Sequence, residues 1–212
     1  MTAAGGPAAG DERSVPAHEA RWEQRVRASR FLAIVVPCED PAQARDALER
    51  IRREFHDATH VAYAWRIGPA RAVEGRSSDA GEPAGTAGKP IASAIESAAL
   101  SDVLVAVVRW FGGTKLGTGG LARAYRDAAA GALAAAGRAV RADTRIVTIR
   151  CPYSRVGEVR RLLRPPEVVP DAEAFGEDAV LRVAVHRSKV EALIAALDEV
   201  RLDYVLEPEG GA

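Results

Sequence analysis

A chain of 212 residues, 48% of them hydrophobic, is long enough to bury one large core or two small ones. Its 29 basic residues balance 29 acidic ones, which excludes a global electrostatic pull toward nucleic acid or membrane and leaves only local patches. Two distant cysteines, Cys38 and Cys151, and the lack of any apolar run near the ~20 residues that cross a bilayer argue for a reducing, cytoplasmic setting without a helical membrane span.

Residues 1–16 begin MTAAGGPAAG, with neither a basic start nor an apolar core, and are expected to be a disordered tail and not a signal peptide. His18–Arg27 reads as a short charged helix docked through Trp22. Phe31–Val36 is a strand by its β-branched apolar run, stopped by Pro37. Asp40 at an N-cap and Pro41 at the first helical position start a helix, with Ala44, Ala47, Leu48, Ile51 and Phe55 inward. Thr59–Ile67 alternates as a strand, Gly68-Pro69 turns, and Ala70–Gly75 is expected to return. The polar loop Arg76–Gly88 leads to a helix with Thr86 as its expected N-cap and Ile91, Ile95, Ala98 and Ala99 on one face.

Val103–Val108 is the most continuous apolar run, so it is placed centrally in a sheet covered by helices. Gly112, Gly113, Gly117, Gly119 and Gly120 follow, and then an alanine-rich helix that Gly137 closes as C-cap. Composition changes near residue 140. Beyond it lie a strand at Arg145–Cys151 and a helix at Ser154–Arg164. Two strands follow, Val168–Phe175 and Ala179–His186, then a helix capped by Ser188 and a last strand at Leu202–Leu206. The order βαββαβ predicts a ferredoxin-like second domain over residues 141–212, after a first domain over 17–140. The fold class is therefore α+β in two domains.

Three stretches carry a resemblance: His56-Asp57-Ala58-Thr59-His60, Ser78–Pro90 (SDAGEPAGTAGKP) and Val105–Ala124 (VAVVRWFGGTKLGTGGLARA). With them the chain resembles the IMPACT/YigZ-like family, and the second unit is similar to the small domain that bacterial members append. The resemblance implies a first domain like the second domain of ribosomal small-subunit protein five and a second like domain V of elongation factor G. It also implies a connection with translation, since a eukaryotic relative restrains a nutrient-stress translation kinase by competing for its activator. The family usually carries a second acidic residue where this chain has Ala80, which leaves Asp79 and Glu82 as the carboxylates of the loop.

The glycine turn is the leading site candidate. Gly112 and Gly113 permit close backbone approach, and Gly119 and Gly120 at a helix start leave N–H groups free beside the positive end of the dipole. Lys115, Arg109, Arg123 and Arg126 give residues 101–126 a net positive charge. The alternative is that the glycines only make room for strand-to-helix packing. The spacing is neither a Walker A loop nor a dinucleotide fingerprint. The loop with Asp79, Glu82, Thr86 and Lys89 is expected to contact this turn, with Glu82 receiving a hydrogen bond from it or from Arg109. A second basic patch is expected on one helix from Arg155, Arg160, Arg161 and Arg164, with a merely solvated face as its alternative.

His56 and His60 stand four apart, but the second begins a strand, so no metal is expected, nor any cofactor. Cys38 with His60 is a conceivable nucleophile pair, set against an ordinary packed thiol. Without a complete nucleophile, base and orienting group, the expectation is a non-enzymatic, translation-associated binding protein. Its candidate partners are RNA, the ribosome or a protein of translational control. A small-molecule hydrolase is the alternative, with Glu82 or Asp79 as base and the glycine turn as phosphate or oxyanion cradle. A third reading is an interaction domain whose glycines only shape the fold. The oligomeric state is left open.

Overall fold

A computed structural model of the protein describes residues 11–69, 72–163, 168–175 and 178–207. Two compact units emerge, one spanning Arg13–Arg141 and the other beginning at Ala142 and joined by Asp11 and Glu12. Both are α+β.

The first unit is built on five antiparallel strands in the order β2-β3-β6-β4-β5. They are β2 (Ala20–Val26), β3 (Ser29–Pro37), β4 (His60–Ile67), β5 (Glu74–Ser78) and β6 (Val103–Trp110). β6 is the central strand, as its continuous apolar run predicts. Side chains alternate across a strand, so β6 serves two cores at once. Val103, Val105 and Val107 pack on one face with α2 (Gly88–Ser97) and α3 (Thr118–Ala135). Leu104, Ala106 and Val108 pack on the other with α1 (Pro41–Glu54). The Asp40 carboxylate caps α1, accepting from the N–H groups of Ala42 at 2.7 Å and Gln43 at 2.8 Å. Gly137, at φ 64°, ends α3.

Four local expectations are corrected. Residues 20–26 form the edge strand β2 and not a helix. Ala20 and Val26 pack toward α3, and Gln24 Nε2 donates to Ala124 O at 2.8 Å, a period of two that the dense charges of this stretch conceal. Trp22 does dock, on Gly131 of α3, where an added Cβ would lie 2.6 Å from the indole. The return after Gly68 is Glu74–Ser78; Ala70 and Arg71 fall outside the described residues. Within the stretch expected to be a tail, β1 (Glu12–Val15) is a strand paired with β7 (Ala139–Ala142); residues 1–10 fall outside the described residues. Thr86 does not cap α2, for a reason given below.

The second unit contains β8 (Thr144–Pro152), α4 (Val156–Leu162), β9 (Val168–Phe175), β10 (Asp178–His186), α5 (Val190–Glu199) and β11 (Asp203–Leu206). The sheet order β11-β8-β10-β9 puts the first strand inside and the last beside it, the split βαββαβ arrangement. Val147, Ile149, Cys151, Leu181, Val183 and Val185 alternate inward against Val159, Leu193 and Leu197 of the helices. Ser188 does not cap α5: its N–H and hydroxyl both donate to the Asp11 carboxylate. Gly176 and Glu177, between β9 and β10, fall outside the described residues.

Candidate functional site

β5 hands the chain directly to Asp79. The Asp79 carboxylate accepts from the backbone N–H groups of Gly85 at 2.8 Å, Ala87 at 2.9 Å and Gly88 at 2.8 Å. It is therefore the cap of α2, supplied from nine residues upstream of Gly88. Burial alone would raise its pKa, but the three donors and nearby Lys89 outweigh burial and hold it below the ordinary aspartate range. Thr86 is thereby released from capping and donates its hydroxyl to Pro83 O at 2.7 Å. Ala80 and Gly81 wind the loop through positive φ. His60 Nδ1 lies 2.9 Å from Ala80 O; a carbonyl only accepts, so Nδ1 carries the proton. His60 Nε2 then faces Glu82 Oε1 at 4.0 Å.

Glu82 points inward. Its Oε1 accepts from Arg109 Nη1 at 2.6 Å and from Tyr125 Oη at 2.7 Å. The Glu82 and Arg109 side chains are only 3% and 5% exposed, so this is a buried ion pair. Arg109 Nη2 reaches Ser29 Oγ at 3.3 Å, and the same oxygen accepts from Gly112 N at 3.4 Å. The guanidinium carbon sits 5.4 Å from the ring centroids of both Phe31 and Phe111. Burial first, and then the hydrogen bond to Glu82 and its charge, push the Tyr125 hydroxyl well above its usual range, which keeps it a neutral donor.

The glycine turn begins where β6 ends. Gly112 is required there: an added Cβ would come within 1.8 Å of Ala28 O. Phe111 N donates to Thr59 Oγ1 at 3.0 Å, and Arg27 Nη1 donates to Lys115 O at 3.1 Å. Gly117, at φ 73°, opens α3 without a side-chain cap. A groove of about 480 Å³ runs between the first turns of α2 and α3, lined among others by Gly85, Lys89, Ser93, Gly119, Arg123 and Arg126. All three cations are exposed, and no carboxylate lines the groove. Arg126 is 3.7 Å from Asp127. A second crevice of about 640 Å³ lies between the C-terminal halves of the same helices, lined among others by Ala94, Ala98, Ala130, Leu133 and Ala134.

The predicted site residues thus divide. Asp79, Glu82, Thr86 and Arg109 are turned into the fold and hydrogen-bonded there. Lys89, Gly112, Gly113, Lys115, Gly119 and Arg123 are exposed, and Gly120 is partly so. Lys89, Gly119 and Arg123 share the groove; Gly112, Gly113 and Lys115 do not line it. In the second patch, Arg155 Nε donates to Glu158 at 2.8 Å and Nη2 to Val200 O at 2.7 Å, tying α4 to the end of α5. Arg161 Nε donates to Gly157 O at 3.1 Å, Arg160 is exposed on α4, and Arg164 lies outside the described residues.

Three members of these networks carry no motif that marks them: Tyr125, Ser29 and Asp102. The last is buried and holds Arg13 Nε at 2.8 Å, Arg141 Nη1 at 2.9 Å and Gly68 N at 2.9 Å. No group of three or more metal-ligating side chains occurs among the described residues. Cys38 is buried, with its thiol pushed up to about 11 chiefly by desolvation, which argues against its use as a nucleophile. Among the described residues no helix is long and apolar enough to cross a membrane.

Residues 27–133 match the Impact N-terminal domain, and residues 149–200 match a domain of unknown function, DUF1949. The chain belongs to the IMPACT family. The IMPACT family member in the pol 5′ region of Thermus thermophilus is 48% identical over 139 residues, covering 66% of this chain and 74% of that protein. The Escherichia coli K12 IMPACT family member YigZ is 32% identical over 187 residues, covering 86% and 90%. A crystal structure described as a hypothetical protein superimposes with a TM-score of 0.68 at 28% identity, over 94% of this chain and 98% of that one. In this IMPACT family member the Asp79 loop, Glu82, Arg109, the glycine turn and Tyr125 all lie within the Impact N-terminal match.

Proposed function

We propose that this IMPACT family member is a non-enzymatic, translation-associated binding protein whose first domain engages RNA, free or within the ribosome. The phosphate backbone would lie across the basic end of that domain. The observation that carries the reading is the division of the signature. Its carboxylates, the buried Glu82 and the half-buried Asp79, are occupied by hydrogen bonds within the domain, and its cations, Lys89, Lys115 and Arg123, are left exposed beside the glycines. Exposed cations that form no described ion pair suit sequence-independent phosphate contacts. The link to translation rests on family membership.

The hydrolase alternative gains no support from this geometry. Asp79 holds three N–H donors, Glu82 holds Arg109 and Tyr125, and neither lines the crevices described above.

Binding to a labelled ribosomal RNA fragment, measured against salt, tests the reading. Affinity is expected to fall linearly on logarithmic axes, by about 0.7–0.9 in slope per phosphate contacted. Lys89→Ala and Arg123→Ala are expected to weaken binding uniformly across sequences and each to lower that slope by roughly one contact. Capture of ribosomal components from lysate is expected only without nuclease treatment. Salt-independent capture that survives nuclease would overturn the RNA reading in favour of a protein partner.

A further inference from the structure

Phe111 is 44% exposed at the end of the central strand, immediately before Gly112. A lone exposed apolar side chain is ordinary and means little by itself. What sets Phe111 apart is how firmly it is held. Its backbone N–H is pinned by Thr59 Oγ1 at 3.0 Å, and its ring lies 5.4 Å from the Arg109 guanidinium. Arg109 is fixed in turn by Glu82 and Ser29, and the next residue, Gly112, is seated against Ala28. One ring face is thus occupied from within while the side chain stays substantially open to solvent.

The surroundings are polar and positive. Residues 111–120, FGGTKLGTGG, contain no acid, and Arg27 meets the turn through Lys115 O at 3.1 Å. Neighbouring Trp110 is already engaged, with the Arg30 guanidinium 4.4 Å from its centroid, Phe55 edge-on at 5.8 Å and Asp57 accepting from its Nε1 at 2.9 Å. An anchor for a protein partner is normally ringed by contacts that exclude water. Phe111 is instead flanked by glycines and cations, the environment of an aromatic that stacks on a base while basic groups take the adjoining phosphates.

We propose that Phe111 is a stacking platform for one unpaired base of RNA, with Arg27 and Lys115 meeting the flanking phosphates. This rests on the RNA reading above and narrows it to single-stranded or looped segments. The pre-set ring lowers the ordering cost of capture, and the buried Glu82–Arg109 pair acts as its positioning support.

The test uses the full chain with single-stranded RNA of about 12 nucleotides and an RNA duplex of about 16 base pairs. Phe111→Leu keeps bulk but removes the π-face, and it is expected to weaken single-strand binding about 5- to 150-fold, the worth of one stacked base. Phe111→Tyr is expected to retain binding, and Phe111→Leu to leave duplex affinity and the salt slope unchanged. Thermal unfolding of each variant checks that the fold persists. Wild-type affinity in Phe111→Leu, or equal losses for strand and duplex, overturns the platform while leaving the RNA reading standing. No binding of either RNA by the wild-type protein overturns both. Loss of a protein from the pull-down with RNA binding intact overturns the platform in favour of a protein contact.

Discussion

Glu82→Ala is the sharpest test of how the first domain is held together. The substitution removes the acceptor of both Arg109 and Tyr125, and it leaves a guanidinium buried at 5% side-chain exposure without its counter-charge. Breaking a buried pair from one side costs about 3–5 kcal/mol, and an orphaned buried hydroxyl costs about 1–3 kcal/mol more where it finds no new partner. A loss of about 4 kcal/mol, the value for the broken pair with Tyr125 finding a new partner, is therefore expected as a minimum. Unfolding entropy scales with chain length, and for the unit Arg13–Arg141 it is on the order of 0.27 kcal/mol/K. The transition of that unit in scanning calorimetry is expected to drop by at least about 15 °C. The second domain's transition should stay in place, provided the two are resolved. Glu82→Ala with Arg109→Met removes both charges, and it is expected to recover at least ~1 kcal/mol over Glu82→Ala alone, because the desolvated cation is gone. A fall of less than ~4 °C in Glu82→Ala, or a double variant no better than the single one, would refute the view that this pair is a supporting element.

Asp79→Asn is expected to destabilise the first domain by about 1–2 kcal/mol at neutral pH, the worth of a helix cap. Because the folded-state pKa of Asp79 is depressed, its charge contributes stability above the unfolded value of about 3.9 and loses it as pH falls through the folded value. Urea titrations should therefore show a constant gap between wild type and Asp79→Asn above about pH 5, a gap that narrows as pH falls below about 4 toward the folded-state value. Gly112→Ala places a methyl 1.8 Å from Ala28 O and is expected to abolish or severely weaken folding of the turn, as followed by calorimetry. Gly119→Ala meets nothing within 4 Å and is expected to be neutral or stabilising by up to ~1 kcal/mol. Cys38 is buried with a raised pKa, so iodoacetamide at neutral pH should label it only as fast as the domain opens.

Much of this fold was legible because the deciding contacts are local. Asp40 caps α1 from two and three residues away, and Gly137 closes the helix it follows, so a short window of sequence contains each cause. The β6 run was placed centrally because a strand covered on both faces has no polar phase. The failures share the opposite property. β2 is a strand because β3 is beside it, and its charged residues resemble a helix surface until that partner is known. Thr86 has the side chain of an N-cap, but Asp79 reaches the same N–H groups from a loop whose shape no local rule supplies. Tyr125 lies 43 residues from Glu82 and Ser29 lies 80 from Arg109, so only the folded sheet brings them together. One signal for Tyr125 was available: a lone phenol on the buried stripe of an alanine-rich helix needs a hydroxyl partner.

The acidic half of the signature builds, and the glycine half exposes. Asp79 fixes the start of α2, and Glu82 fixes Arg109 and, through it, the ring of Phe111. Lys89, in the first turn of α2, and Arg123, in the second turn of α3, line the groove without a described ion pair of their own. Stability and binding should therefore separate in one direction only. Removing Lys89 or Arg123 withdraws solvated charges, which changes stability little, within about 0.5 kcal/mol, while lowering the affinity for an anionic partner. Removing Glu82 lowers both, because the support under the exposed surface goes with the buried pair. A variant of Lys89 or Arg123 that destabilised the domain as much as Glu82→Ala would show that these cations belong to the scaffold, and the division between the two halves would then be wrong.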